Sequence, residues 1–174
     1  MIPPYQHQSE NIVLLLAKKD VSIADEMGLG KSRCAIDEAS RLWQAAQLDA
    51  IVILCPAAVR GVWDSPDFGE FQKYLQIPYA TFRFDSRYLV PPEWPAGHLM
   101  TVVTNSQFLR TPNRLQDFLG RCRKLGRFIL VLDESSKIKS RTAIQTKAAK
   151  KVRELASRCL LLNGTPVANS LMDL

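Results

Sequence analysis

Val21-Ser22-Ile23-Ala24-Asp25-Glu26-Met27-Gly28-Leu29-Gly30-Lys31-Ser32 is the stretch on which the fold turns. A strand over 21–25 runs into a glycine-bearing turn and then directly into a helix that starts near Lys31. Gly28 and Gly30 let the backbone curl so that N–H groups point inward at phosphate oxygens, and the helix N-terminus adds its positive dipole end. Lys31 would set an ammonium against the β and γ phosphates, and the Ser32 hydroxyl would ligate Mg²⁺. The general pattern G-x-x-x-x-G-K-[ST] asks for glycine where this chain has Asp25. The competing reading of the same residues is a Gly-rich strand-to-helix turn capped by Ser32.

Outward from this turn, apolar runs of strand length recur: Ala50 to Cys55, Ala80 to Phe84, Leu99 to Thr104, Phe128 to Asp133 and Cys159 to Leu162. Ile51 to Leu54 and Phe128 to Leu132 are continuous rather than alternating, the pattern of strands buried on both faces, hence of a parallel sheet. Helical periods separate them. Ala35, Ala39, Leu42, Trp43 and Ala46 share one face, which predicts a helix over 31–46. Leu115, Phe118, Leu119 and Cys122 repeat the pattern behind Thr111-Pro112, where the hydroxyl can cap and the proline's missing N–H costs nothing. Ile144, Ala148, Val152 and Leu155 form a third stripe. The alternation predicts an α/β fold, a mainly parallel sheet with helices on both faces. Ser65 to Gly69 and the Pro-rich Asp85 to Gly97 read as surface loops.

The 174 residues suit one domain, 1–174, and 47% hydrophobic against 23% charged residues exclude disorder. The longest apolar run, Ile12 to Ala17, is far short of the ~20 residues that span a bilayer, so a soluble chain without membrane partners is expected. Cys34, Cys55, Cys122 and Cys159 form no Cys-x-x-Cys pair and predict small core residues in a reducing cytoplasm. The formal charge is +6, and residues 121 to 158 alone carry +9. Such a balance favours polyanionic partners, although charge clusters also simply solvate surfaces.

The most apolar strand ends in Asp133-Glu134. Adjacent carboxylates at the carboxyl end of a parallel strand lie where α/β sheets bind ligands. Asp133 can hold Mg²⁺ through water while Glu134 orients and deprotonates an attacking water. The pair could instead cap the segment that follows.

Together these blocks resemble the Swi/Snf-type DNA-translocating ATPases, relatives of the DEAD-box and DEAH-box proteins in the second helicase superfamily. Asp25 to Ser32 looks like that family's phosphate loop, which also lacks the first glycine. Pro4-Tyr5-Gln6 resembles its opening motif, which implies that Gln6 hydrogen-bonds adenine. Cys55-Pro56 with Trp63, and Val103-Thr104-Asn105, resemble segments that touch a nucleic-acid backbone. Asp133 to Lys139 looks like the second nucleotide motif, and Leu162-Asn163-Gly164-Thr165-Pro166 with Asn169 like the third.

The resemblance implies a first RecA-like lobe that binds ATP and Mg²⁺. Lys31, Asp133 and Glu134 are then catalytic, Gln6, Met27, Gly28, Leu29, Gly30, Lys31 and Ser32 hold the nucleotide, and Ser32 and Asp133 hold the metal. Pro56, Ala57, Arg60, Thr104, Asn105, Lys137 and Lys139 would contact DNA, a sequence-tolerant duplex held by its backbone. Ser136, Gly164, Thr165 and Pro166 would couple nucleotide state to movement. Cytoplasmic, nucleoid-associated or nuclear placement would follow from the host.

Three departures accompany the resemblance. Ser136 stands where a histidine is common, and it cannot carry charge. Asn163 replaces a threonine, and Ser106 an aromatic residue. The chain also stops where the family's first lobe meets its second, which supplies the arginine that stabilises the transferring phosphoryl group, so slow hydrolysis is expected without that lobe. Arg33, on the first helical turn, is expected to face solvent, and Trp94 to anchor the Pro-rich loop on the body. The rival classes are a non-catalytic nucleic-acid or partner-binding module of the same shape and a small-molecule kinase.

Overall fold

The computed structural model of the chain describes residues 3–26, 28–84, 95–134 and 144–164. Six strands make one sheet: β1 (Asp20–Ile23), β2 (Ala50–Cys55), β3 (Tyr79–Phe84), β4 (Leu99–Asn105), β5 (Phe128–Asp133) and β6 (Arg158–Leu162). Their order is β1-β6-β5-β2-β4-β3, and every pairing is parallel. The two strands that read as continuous apolar runs, β2 and β5, are the central pair. Edge strand β1 alternates exposed and buried residues, as expected with one side half open.

The alternation within β2 shows how the two faces are filled. Ile51, Ile53 and Cys55 pack on one side with Ile12 and Leu15 of α1 (Gln6–Ala17), with Cys34 to Leu42 of α2 (Lys31–Gln44), and with Trp63 and Phe71 of the short helices α3 (Arg60–Asp64) and α4 (Glu70–Tyr74). Ala50, Val52 and Leu54 pack on the other with α5 (Pro112–Cys122) and α6 (Ile144–Arg153). A mainly parallel sheet with helices on both faces is therefore what forms. All four cysteines are free and buried. Burial pushes the Cys34 thiol up to about 11 and those of Cys55, Cys122 and Cys159 to about 12, so they are inert core residues.

Several local expectations change. Helix α2 ends at Gln44, two residues before its apolar face runs out. Helix α5 starts at Pro112 as expected, but Thr111 makes no side-chain capping bond; its carbonyl accepts the Leu115 N–H instead. Helix α6 buries Thr146, Ala148, Ala149 and Val152 and leaves Ile144 54% exposed. Its small alanines lie against the sheet while its first residue reaches past it.

The segment from Ser65 to Gly69 is a surface turn between α3 and α4, exposed at 66–68 and pinned at its two ends. Gly69 donates to the Ser65 carbonyl at 2.9 Å, and both residues are buried. Helix α1, over the apolar run at 12–17, is an element that periodicity does not announce. Among the described residues no helix is long and apolar enough to cross a membrane.

Candidate active site

The site is built by strand register. Ile23 pairs with Leu162 and Leu162 with Asp133, so β1, β6 and β5 end at one level. The glycine loop, the Asn163-Gly164 exit and the Asp133-Glu134 pair thus leave the sheet side by side at its carboxyl edge, with only β6 between loop and acids.

Within the loop, Lys31 folds back. Its Nζ donates to the carbonyls of Asp25 at 2.8 Å and Glu26 at 2.7 Å. Gly30, the residue before α2, has φ 80°, in the left-handed region that glycine enters without cost. A Cβ there would lie 2.3 Å from Gln8 Nε2, so a side chain would have to push the Gln8 amide aside. Gly28 also has φ 83°, but nothing lies within 4 Å of its Cβ position, and this side of the loop is open.

Helix α1 braces the loop from behind. Gln8, buried, donates from Nε2 to the Leu29 carbonyl at 3.0 Å and accepts the Tyr5 N–H at 3.1 Å. A ring nitrogen of His7 lies 3.1 Å from the same Leu29 oxygen. Asn11 Nδ2 donates to Asp25 Oδ2 at 2.7 Å. Asp25 is thereby explained: where a general phosphate loop has glycine, this one has an anchor. Gln6 is exposed on the first turn of α1, and its amide donates to Glu10 at 3.1 Å. Gln8 and Asn11 are site-shaping residues that sequence reasoning missed, because their contacts span 21 and 14 residues and no local spacing marks them.

The carboxylate of Asp133 is held at both oxygens. Oδ2 accepts the Trp63 indole N–H at 2.8 Å, and Oδ1 accepts the Glu134 N–H at 2.9 Å. Burial raises the Asp133 pKa above the usual carboxylate range. The bonds from Trp63 and from the Glu134 N–H oppose that shift, the Glu134 charge adds to it, and the Lys31 ammonium lowers it. Glu134 has φ 53°, an uncommon left-handed conformation for a non-glycine residue, of the kind that gathers at functional sites.

Among the described residues no group of three or more His, Cys, Asp or Glu could hold a metal ion. Mg²⁺ needs no such cage: it takes one or two carboxylates together with phosphate oxygens and waters. The Ser32 hydroxyl and the Asp133 carboxylate are a donor set of that kind. A cation beside Asp133 would offset the burial that disfavours its charge, so these residues fit the ion.

Beyond β5 along the same edge lie the residues assigned to nucleic acid. Pro56 and Ala57 follow β2, Arg60 opens α3 and Asn105 closes β4, all with exposed or half-buried surface. Thr104 is a correction. It is fully buried, and its hydroxyl is spent on the Phe84 carbonyl at 2.7 Å, so it ties β4 to β3 rather than facing outward. Trp63 is likewise fully buried, against Phe71.

Arg33 is a third correction: it is 4% exposed and lies over the Tyr74 ring at 5.1 Å, because α4 covers that side of α2. Met27, Trp94, Ser136, Lys137, Lys139, Thr165, Pro166 and Asn169 lie outside the described residues. The basic excess of 121–158 is not one continuous face. Arg127, Arg153 and Arg158 pair with Asp49, Asp20 and Glu38. Arg127 precedes β5, Arg158 opens β6, and Arg153 at the end of α6 reaches Asp20 at the start of β1, all at the edge opposite the site.

A parallel α/β lobe with a glycine loop and paired acids at strand ends one strand apart is the architecture of a RecA-like nucleotide-using ATPase, and the comparisons with known proteins agree. The SNF2-related domain family matches residues 5–174, and the chain belongs to that family of helicase-like ATPases, as its first lobe.

An uncharacterised ATP-dependent helicase of Mycoplasma genitalium is 29% identical over 97% of the chain. A DNA excision repair protein ERCC-6-like of Mus musculus is 31% identical over 98%. The chain spans only 16% and 14% of those relatives' lengths. The Sulfolobus solfataricus SWI2/SNF2 ATPase core in complex with dsDNA superposes with TM-score 0.73 at 22% identity, over 99% of this chain and 34% of that one. At that identity the likeness speaks to fold.

Proposed function

We propose that the chain is the ATP-binding lobe of a DNA-dependent ATPase that couples hydrolysis to movement on double-stranded DNA. One observation carries this reading: the Lys31 loop and the Asp133-Glu134 pair leave the sheet at the same level with only β6 between them. The loop N–H groups and Lys31 hold the β and γ phosphates, the ammonium exchanging the Asp25 and Glu26 carbonyls for phosphate oxygens. Gly28, Leu29, Gly30 and Met27 shape that cradle, and Gln6 reaches the base. Ser32 and Asp133 would hold Mg²⁺, which supplies charge neutralisation for the transferring phosphoryl group. Glu134 orients a water and takes its proton as the oxygen attacks the γ phosphorus and the bond to the bridging β–γ oxygen breaks.

Pro56, Ala57, Arg60, Asn105, Lys137 and Lys139 hold the phosphate backbone of the duplex. Support comes from the solved SWI2/SNF2 core that carries dsDNA. Ser136, Gly164, Thr165 and Pro166 relay nucleotide state. A second RecA-like lobe completes the enzyme and brings the stabilising arginine, so this lobe alone hydrolyses ATP slowly.

Calorimetric titration with ATP in the presence of Mg²⁺ tests the assignment. Lys31→Ala removes charge-assisted hydrogen bonds worth ~1.5 to 3 kcal/mol and weakens binding roughly ten- to a hundred-fold. Equal affinity in the two proteins contradicts the reading. Glu134→Gln retains binding and, in a protein carrying both lobes, loses turnover.

A further inference from the structure

We infer that Trp63 is a positioning residue for the nucleotide site: its buried indole N–H sets the rotamer of Asp133 and ties that carboxylate to the segment that follows β2. The inference rests on the nucleotide reading above and adds a residue to it. Trp63 lies 70 positions from Asp133 in the chain and is brought to it by the β2–β5 pairing, in which Leu54 stands beside Leu132. Pro56 to Val59 lead from the end of β2 into α3, which packs beside β4, and the indole N–H meets Asp133 Oδ2 at 2.8 Å. The other oxygen is held by the Glu134 N–H, so neither oxygen can swing without breaking a hydrogen bond.

A carboxylate that must present a lone pair to a phosphate-bound cation gains from being fixed before the cation arrives, because the ordering cost is then met in folding. Trp63 itself is braced. Its ring packs 5.7 Å from that of Phe71, which packs 6.4 Å from Tyr79, and the adjacent Asp64 is paired with Arg83 on β3.

The test uses the whole chain and two readouts other than hydrolysis. Trp63→Phe keeps an aromatic ring against Phe71 while removing the N–H donor and part of the ring volume; the lost volume is a packing change that acts with or without the metal. Affinity for ATP is measured with Mg²⁺ and again with EDTA. The variant is expected to bind about ten-fold more weakly with Mg²⁺, as the loss of a hydrogen bond to a charged group implies, and equally in EDTA. A merely structural role weakens both alike or neither, and either result overturns the inference.

In a Trp43→Phe, Trp94→Phe protein, Trp63 is the sole emitter, since the chain has three tryptophans. Its emission is expected to shift when Mg²⁺ and ATP bind together. Should Trp63→Phe fail to fold, this emission decides: an unchanged spectrum at saturating Mg²⁺ and ATP overturns the inference. A parent chain that binds no ATP at all overturns the nucleotide reading and this inference with it, whereas Mg²⁺-dependent binding that survives Trp63→Phe intact overturns this inference alone.

Discussion

At Gly30 two independent constraints meet, a left-handed backbone and the Gln8 amide 2.3 Å from where a Cβ would sit. Gly30→Ala therefore costs about 1 to 3 kcal/mol of backbone strain and also displaces Gln8 from the Leu29 carbonyl. Urea unfolding should show that loss and ATP titration a weakened site; a variant as stable as the parent would contradict the geometry. Gly28 has the same backbone sign but open space, so its cost should be confined to strain.

Glu38 provides a second prediction at this scale. It is wholly buried beside Arg158, and burial raises its pKa to about 7, with the Arg158 charge and hydrogen bond opposing. Because the folded chain holds this proton more tightly than the unfolded one, the Glu38 contribution to stability falls as pH rises from about 4.5 to about 7. Glu38→Gln should flatten that decline in urea unfolding followed from acid to neutral pH. An unchanged slope would place the titration elsewhere. The glycine turn after β1 and the paired acids at the end of β5 are legible in the sequence as strand-end features, and the register sets them at one level. Trp63 stands out in the sequence but its bond to Asp133 does not, and Asn11 and Gln8 do not stand out at all, because these partners are distant in sequence and only the folded chain brings them close.

The elements differ in how openly the sequence declares them. β2 and β5 match their apolar runs residue for residue, since both are central strands whose burial ends where the sheet ends. Helix α1 escapes notice because Val13 and Leu14 are exposed on its outer side, so the run at 12–17 lacks a one-sided pattern. Helices α3 and α4 have five residues each, too few for a period to register. The short α3 depends on tertiary support. Asp64, its last residue, has a side chain 1% exposed and paired with Arg83. Asp64→Ala should lose about 2 kcal/mol, less than a fully buried pair because Arg83 is a third exposed. Urea unfolding measures this, and a change near zero would show that Trp63 alone anchors α3.

Among the described residues, the arginines of the 121–158 stretch and Arg60 stand at opposite edges of the sheet. Arg127, Arg153 and Arg158 are held in ion pairs at the amino edge, while Arg60, Pro56, Ala57 and Asn105 stand at the carboxyl edge beside the loop and acids. Net charge alone does not reveal this sorting, since it counts both edges together. In a protein carrying both lobes, Arg60→Ala should weaken duplex binding and reduce the slope of log affinity against log salt by about one. Arg127→Ala should leave both unchanged. Equal effects from the two would mean that the duplex does not run along the carboxyl edge.

The central claim is that the glycine loop and the Asp133-Glu134 pair form one Mg²⁺-nucleotide site. A crystal structure of the chain grown with Mg²⁺ and a non-hydrolysable ATP analogue tests it most directly. The account predicts Lys31 Nζ released from the Asp25 and Glu26 carbonyls onto the β and γ phosphates, with the metal between Ser32 and Asp133. Lys31 still bound to those two carbonyls, with the analogue seated elsewhere, would contradict it.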